Sequence, residues 1–356
     1  MNTKNRTKSP IITNTDITNA DITNEKGTAL VVSLLMLVIM TTIGITATSR
    51  TIVEGWLSAN YRSATQAFYI AEAGLERTRN DLRNDTNWSD NTTAPGGTIN
   101  VGGRQATYTI TTRDRTHNSI IITSTGVIAG AESIVEARIE RLTIPAPPAA
   151  VYLGGSPVTT NFAGNAFEIT GNDTNLDGRP GPALSVWGIA INTGATITDI
   201  PKNRRDNIIG KGAPPSIGTT PPINLDALAE QYIGIANQLS GNQHIEDKTT
   251  WGTLTNPQVT YVKGDLKMSG KSSGAGVLIV GGNLTMKGTP RWDGIIIVLG
   301  NVSSQAGTPD IFGALLIRGN ELDVRGNVNI QYSSQAIAMA NTIAPVRVSS
   351  WRQVHN

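Results

Sequence analysis

The sequence predicts a mainly β chain with one long N-terminal α-helix, a small α+β module built on that helix, and a right-handed parallel β-helix (solenoid) after it. Three observations carry the prediction. The run from Thr28 to Ser49 is uncharged and mostly aliphatic, and the stretch after Arg50 keeps a helical period. Runs rich in Thr, Ile and Val follow between residues 106 and 142. Beyond Val262 two columns of glycine recur at a nearly constant step, and a regular step close to ~20 residues marks a solenoid.

Residues 1–26 are polar, and Asp16-Ile-Thr-Asn19 returns as Asp21-Ile-Thr-Asn24 without an apolar face. This stretch reads as disordered. Lys4, Arg6, Lys8 and Lys26 put it on the cytoplasmic side of a membrane. Residues 28–49 suffice to cross a bilayer core as a helix, which takes ~20 residues. Beyond Arg50, residues Val53, Trp56, Leu57, Tyr61, Ala64, Phe68, Ala71 and Leu75 recur at three- and four-residue steps, one helix face. Both halves form one helix ending near Asn84, about 85 Å from Thr28.

Lys26-Gly27 before Thr28-Ala-Leu-Val-Val-Ser-Leu-Leu35, with Ala67-Phe-Tyr-Ile-Ala-Glu-Ala-Gly-Leu-Glu76 further on, resembles the N-terminal region of PilX-type minor pilins of type IV pili. The resemblance covers about residues 25 to 84. It implies a prepilin peptidase cut after Gly27, methylation of the new N-terminus at Thr28, and a cytoplasmic leader over 1–27. It further implies residence in the bacterial inner membrane by a single pass, then an extracellular pilus or periplasmic pseudopilus with other pilins as partners. Most pilins carry a glutamate five residues after the cut. Here that position is Val32, a lack shared with PilX-like proteins and with the tip pseudopilin of secretion systems. A carboxylate in an apolar filament core is costly unless paired, so Val32 hints at a minor, tip-proximal subunit.

Next, Ala106–Thr112, Ser119–Ser124 and Ser133–Leu142 read as strands, with Gly126 and Gly130 at the turns. A helix followed by three or four antiparallel strands resembles a pilin head over 85–143. Pro145-Ala-Pro-Pro148, within 144–150, reads as a semi-rigid linker to a solenoid domain over 151–356. In that domain Gly264, Gly282, Gly300 and Gly319 form one column and Gly270, Gly288, Gly307 and Gly326 a second. The apolar runs between them would stack inward, with Gly and Asn at corners of positive φ. The hand follows from the right-handed crossover preference. A similar block, ending in a Tyr-Ser-Ser run like Tyr332-Ser-Ser334, occurs in some large PilX-like proteins. Phe167–Gly171 and Val186–Ile191 read as earlier rungs. Residues 224–239 read as a helix capped by Asn224, packed on the solenoid's side or over its open end.

The chemistry on offer is sparse. The 356 residues carry a net charge of +2 with 16% charged residues, no footprint for nucleic acid. Cysteine is absent, which excludes disulfides and thiolate sites. Asp173-Thr-Asn175-Leu-Asp177-Gly178 matches the first half of a calcium loop but lacks the closing glutamate. His117, His244 and His355 stand apart and no H-E-x-x-H occurs. Asp265, Asp293, Asp310 and Asp323 occupy different rung positions, and Trp187, Trp251, Trp292 and Trp351 could stack on sugars. The expected protein is a non-enzymatic minor pilin-like subunit whose solenoid serves assembly, tip capping or adhesion, with a tip adhesin or surface glycan as a further partner. The competing reading is a membrane-anchored β-helix protein that binds or degrades polysaccharide.

Overall fold

A computed structural model describes residues 16–85, 87–90, 95–164 and 166–354. Helix α1 spans Asp16–Asn84, 69 residues, about 104 Å. Residues 16–26 are therefore helical, not irregular, since lengthening a formed helix needs no new nucleus; residues 1–15 lie outside the described residues. The aliphatic half is exposed along its length. Burial begins at Ala67 and continues through Ile70, Ala71, Leu75, Thr78 and Leu82. The expected stripe thus splits: Ala71 and Leu75 enter the core, whereas Val53, Trp56, Leu57 and Tyr61 face outward.

Against the upper helix lies an antiparallel sheet of β1 (Gly96–Val101), β2 (Arg104–Arg113), β3 (Ser119–Ile128), β4 (Ala131–Arg141) and β23 (Val346–Val354), in the order β1-β2-β3-β4-β23. Strands β2 to β4 alternate buried and exposed residues because only the helix-facing side is covered. Gly102 and Gly103, both at positive φ, close the β1–β2 hairpin. Gly130 sits at a turn as expected. Gly126 instead lies inside β3, where a Cβ would stand 2.3 Å from the Ala67 carbonyl oxygen. It lets helix and sheet approach.

The rest is two mainly parallel sheets between which the chain alternates. One has the path β10 (Ile217–Thr220), β8 (Trp187–Asn192), β5 (Ala149–Leu153), β20 (Asp310–Ile317), β18 (Arg291–Val298), β16 (Ser273–Val280), β14 (Gln258–Val262), β11 (Asn237–Leu239). Strands β7 (Glu168–Thr170), β9 (Ile208–Ile209), β13 (Thr250–Trp251) and β22 (Asn329–Tyr332) join it off that path. The other runs β12 (Gln243–Ile245), β15 (Leu266–Met268), β17 (Leu284–Gly288), β19 (Val302–Gly307), β21 (Glu321–Val324), β6 (Thr159–Phe162). The register of β16, β18 and β20 follows the step of the glycine columns, with Gly276, Gly294 and Gly313 aligned across the three strands.

Four details differ from the expectation. The segments containing β7 and β8, together with β5, join the parallel sheet, but they lie beyond β20 and β22 rather than before β14. The apolar runs of β16, β18 and β20 show no alternation because both faces are buried. Helix α3 (Ser334–Asn341) lies over them, a helix with no counterpart in the sequence reading. Helix α2 (Leu225–Ile233) does form on the Asn224 cap, burying Leu225, Leu228, Ala229 and Tyr232, but it ends at Ile233, and Leu239 closes strand β11.

The 144–150 segment is held on both sides. Ile144 is buried, and Asn341 donates to its carbonyl (3.0 Å) and accepts from its N–H (2.8 Å). The Leu142 N–H donates to Pro345 O (2.8 Å) and the Tyr232 hydroxyl to Leu142 O (2.9 Å). The returning chain then enters the head as β23.

Candidate functional site

The protruding half of α1 is the largest apolar surface among the described residues. Gly27, Thr28 and Val32 lie on one continuous helix, and Val32 is exposed. α1 is the one described helix long and apolar enough to cross a membrane. Its hydroxyls are satisfied within the helix: Thr42 donates to Val38 O, Thr46 to Thr42 O, Thr48 to Gly44 O and Ser49 to Ile45 O, all at 2.6–2.9 Å. Back-bonding of this kind leaves no donor bare in an apolar medium. Above the aliphatic run the exposed face continues as Trp56, Leu57 and Tyr61, then meets Phe68 and Trp351 of β23, whose rings stand edge to face at 6.1 Å. Trp351 Nε1 donates to Glu72 (2.7 Å), so the last strand is tied to the helix.

The Asp173–Asp177 loop points its oxygens in different directions. Asp173 is buried. It accepts from Ser334 N (2.7 Å), Ser334 Oγ (2.8 Å) and Ala183 N (2.8 Å), binding the loop to the start of α3. Asn175 donates to Pro180 O, and Asp177 accepts from Arg179 N and faces its guanidinium. Each of the three side chains thus has a partner within the chain. No group of three metal-ligating His, Cys, Asp or Glu residues occurs among the described residues.

The structure does bring together two carboxylates that the sequence left scattered. Arg291 meets Asp293 at 2.9 Å and Asp310 at 3.9 Å, and its guanidinium lies 4.4 Å from the centre of the Phe312 ring. The signal was available: Arg291 and Asp310 are register partners, one rung apart. Burial pushes the Asp310 carboxyl above its ordinary range, against the pull of Arg291 and Gln331. Asp265 instead accepts from Asn283 N at a corner, and Asp323 pairs with Arg325.

His244 Nε2 lies 3.0 Å from Ser269 Oγ and 3.4 Å from Glu246. Both partners meet the same ring nitrogen, so the three do not form a proton relay of the serine–histidine–acid kind. Gly270-Lys-Ser272-Ser-Gly274 fits the spacing of a nucleophile elbow, a match the sequence reading passed over. Ser272 is wholly buried and a strand follows it, where the elbow requires an exposed serine leading into a helix. Trp292 is buried, not exposed, and Trp187 and Trp251 are half-covered. Only Trp351 of the four keeps an open face, and it sits on the head. His355 lies outside the described residues.

Residues 26–76 match the family described as PilX N-terminal. The match covers the N-terminal helix and none of the sheets. The matched stretch begins one residue before Gly27 and ends at Glu76, within the part of α1 that the antiparallel sheet covers. Among solved structures, the competence-associated pilin ComZ from Thermus thermophilus is similar at 12% identity. That alignment covers 82% of this chain and 98% of the other, with a TM-score of 0.26. An ice binding protein from an Antarctic biological consortium is similar at 14% identity over 52% of this chain and 96% of its own, with a TM-score of 0.30. No curated protein matches the chain.

Proposed function

We propose that the chain is a minor pilin-like subunit of a type IV pilus or related filament. The observation that carries this is the PilX-type region lying on a helix whose apolar half is wholly exposed. Such a surface suits a bilayer first and the helical core of a filament afterwards. Both surroundings are apolar, so helix packing rather than the hydrophobic effect decides between them. Prepilin peptidase cuts after Gly27 on the cytoplasmic face of the inner membrane, and Thr28 becomes the methylated terminus. Residues 28–84 then carry the subunit. Residues 85–143 with the returning β23 form the head, and residues 149–332 form a parallel β-helix closed by the two alternating sheets. This displayed part serves assembly, tip capping or adhesion. Val32 in place of glutamate favours a minor position.

The test is the mass and N-terminal sequence of the mature chain from cells with active prepilin peptidase. A chain starting at methylated Thr28, lost in Gly27→Val along with recovery in sheared filaments, is the expected result. An intact leader, or filament recovery unaffected by Gly27→Val, sinks the reading and leaves an anchored β-helix protein that acts on polysaccharide.

A further inference from the structure

Between Thr28 and Ala71 the helix carries three charges: Arg50, Glu54 and Arg62. Glu54 is exposed and is the one acidic residue between Thr28 and Ala71. No basic side chain pairs with it among the described residues. Eight residues further on, the helix and the β1–β2 hairpin enclose a groove of about 510 Å³. Small residues open it, Ser58, Ala59 and Ser63 on the helix and Gly102 at the hairpin tip, and Arg62 and Arg104 stand at its walls. Neither arginine has a carboxylate partner among the described residues. By contrast, Arg113, Arg347 and Arg352 on the same sheet are all paired with Glu136 or Glu140.

We propose that this groove receives Glu54 of a second copy of the chain. The inference rests on the filament reading and adds to it a partner and a geometry. Glu54 and Arg62 are separated by about 12 Å along the helix axis. A second copy that places its Glu54 between Arg62 and Arg104 is therefore displaced outward by about 12 Å. Eight residues also turn about 80° around the axis, so the two charges do not lie on opposite sides of the helix. Translation alone cannot bring both into register, and the second copy is rotated as well. A rise with a rotation uses different surfaces on the two copies, leaves one Glu54 and one groove free, and does not close on itself. Each docked carboxylate meets two guanidinium groups in a partly enclosed groove, where planar bidentate pairing is favoured. The contact sets stagger and rotation, while the aliphatic segment supplies the bulk of the buried area.

The natural absence of cysteine makes the test clean. Two differently tagged full-length copies, Thr51→Cys and Ala59→Cys, both keeping Glu54, are co-expressed in cells with active prepilin peptidase; Thr51 lies three residues before Glu54 and eight before Ala59, so a displacement of about 12 Å sets the two thiols level. Membranes and sheared filaments are oxidised separately. The expected result is a mixed disulfide between the two tags, at least several-fold above the Thr51→Cys self-adduct. Adding Arg62→Glu and Arg104→Glu to the Ala59→Cys copy should abolish it, and Glu54→Arg on an uncrosslinked partner should restore recovery of that charge-reversed copy in filaments. A mixed adduct no higher than the self-adduct in both fractions overturns the proposal. That outcome is separate from the filament reading, which stands or falls on a chain starting at Thr28 and present in the sheared fraction.

Discussion

Asparagine explains the repeat better than glycine conformation does. Asn242 Oδ1 accepts from Asp265 N, Asp265 from Asn283 N, Asn283 from Asn301 N, and Asn301 from Asn320 N, at 2.7–3.1 Å. Each side chain caps the corner of the next rung. The sequence reading put Gly and Asn at these corners for positive φ, yet Gly264, Gly282, Gly300 and Gly319 do not adopt it. They are small because the preceding rung is close: a Cβ on Gly300 would stand 2.5 Å from Gly282 O. Positive φ belongs to the second column and to Gly276, Gly294 and Gly313 within the strands. Asp310 supplies the pH prediction. Its pKa is raised by burial, so the folded state holds the proton more tightly than the unfolded one, and stability falls as pH climbs through the interval between the two values. Asp310→Asn should therefore raise the thermal midpoint at neutral pH, and the gain should vanish below the ordinary aspartate range near pH ~4. A gain that persists in acid would refute the assignment.

At the level of elements, the start of α3 is tied to a distant loop through the Asp173 side chain. Asp173 accepts both polar hydrogens of Ser334, and Ser333 caps the helix through Ala336 N. The buried faces of Ala336, Ile337 and Ala340 then cover the outer side of the parallel strands. Removing a carboxylate that holds three hydrogen bonds in a buried place costs roughly 2–4 kcal/mol. Asp173→Ala should lower the urea midpoint accordingly and raise amide exchange in 334–341. The same variant offers a check on the role of the loop. If calcium shifted the midpoint of the natural chain and not of Asp173→Ala, the loop would be an ion site rather than a brace.

Over the whole molecule, the chain passes between head and parallel sheets twice, at 142–149 and 341–346, and the two passages bond to each other. Two pinned crossings resist bending and twisting where one linker would act as a hinge. β23 completes the arrangement: Arg352 pairs with Glu136, Arg347 with Glu140, and Trp351 with Glu72. Arg113 of β2 first, and then Arg352, hold Glu136 below the usual carboxylate range, and Arg347 does the same for Glu140. Deleting residues 346–356 should bare the β4 edge, speed hydrogen exchange in β4, and leave β16, β18 and β20 protected. Unchanged exchange in β4 would show that the returning strand adds nothing to the head.

Features that repeat or alternate along the chain are legible from residue order. The 28–84 helix, the antiparallel strands that pack on it and the parallel strands from 258 to 332 follow from hydropathy period and from the glycine columns, whereas the proposed cut at Gly27 rests on the family resemblance alone. The aliphatic segment and the Asp173 loop were equally visible, although the loop's partner was not: Ser334 lies 161 residues away. The order of the parallel strands, the cover over both faces of the central ones, and the return of β23 are set only in the folded molecule. Leu315 pairs with Val151, from opposite ends of the domain's sequence. The ladder between them is made of backbone hydrogen bonds that any non-proline sequence can form. Local pattern therefore specifies that a strand exists and which face is apolar. Which strand lies beside it is fixed only when all the apolar faces are buried together.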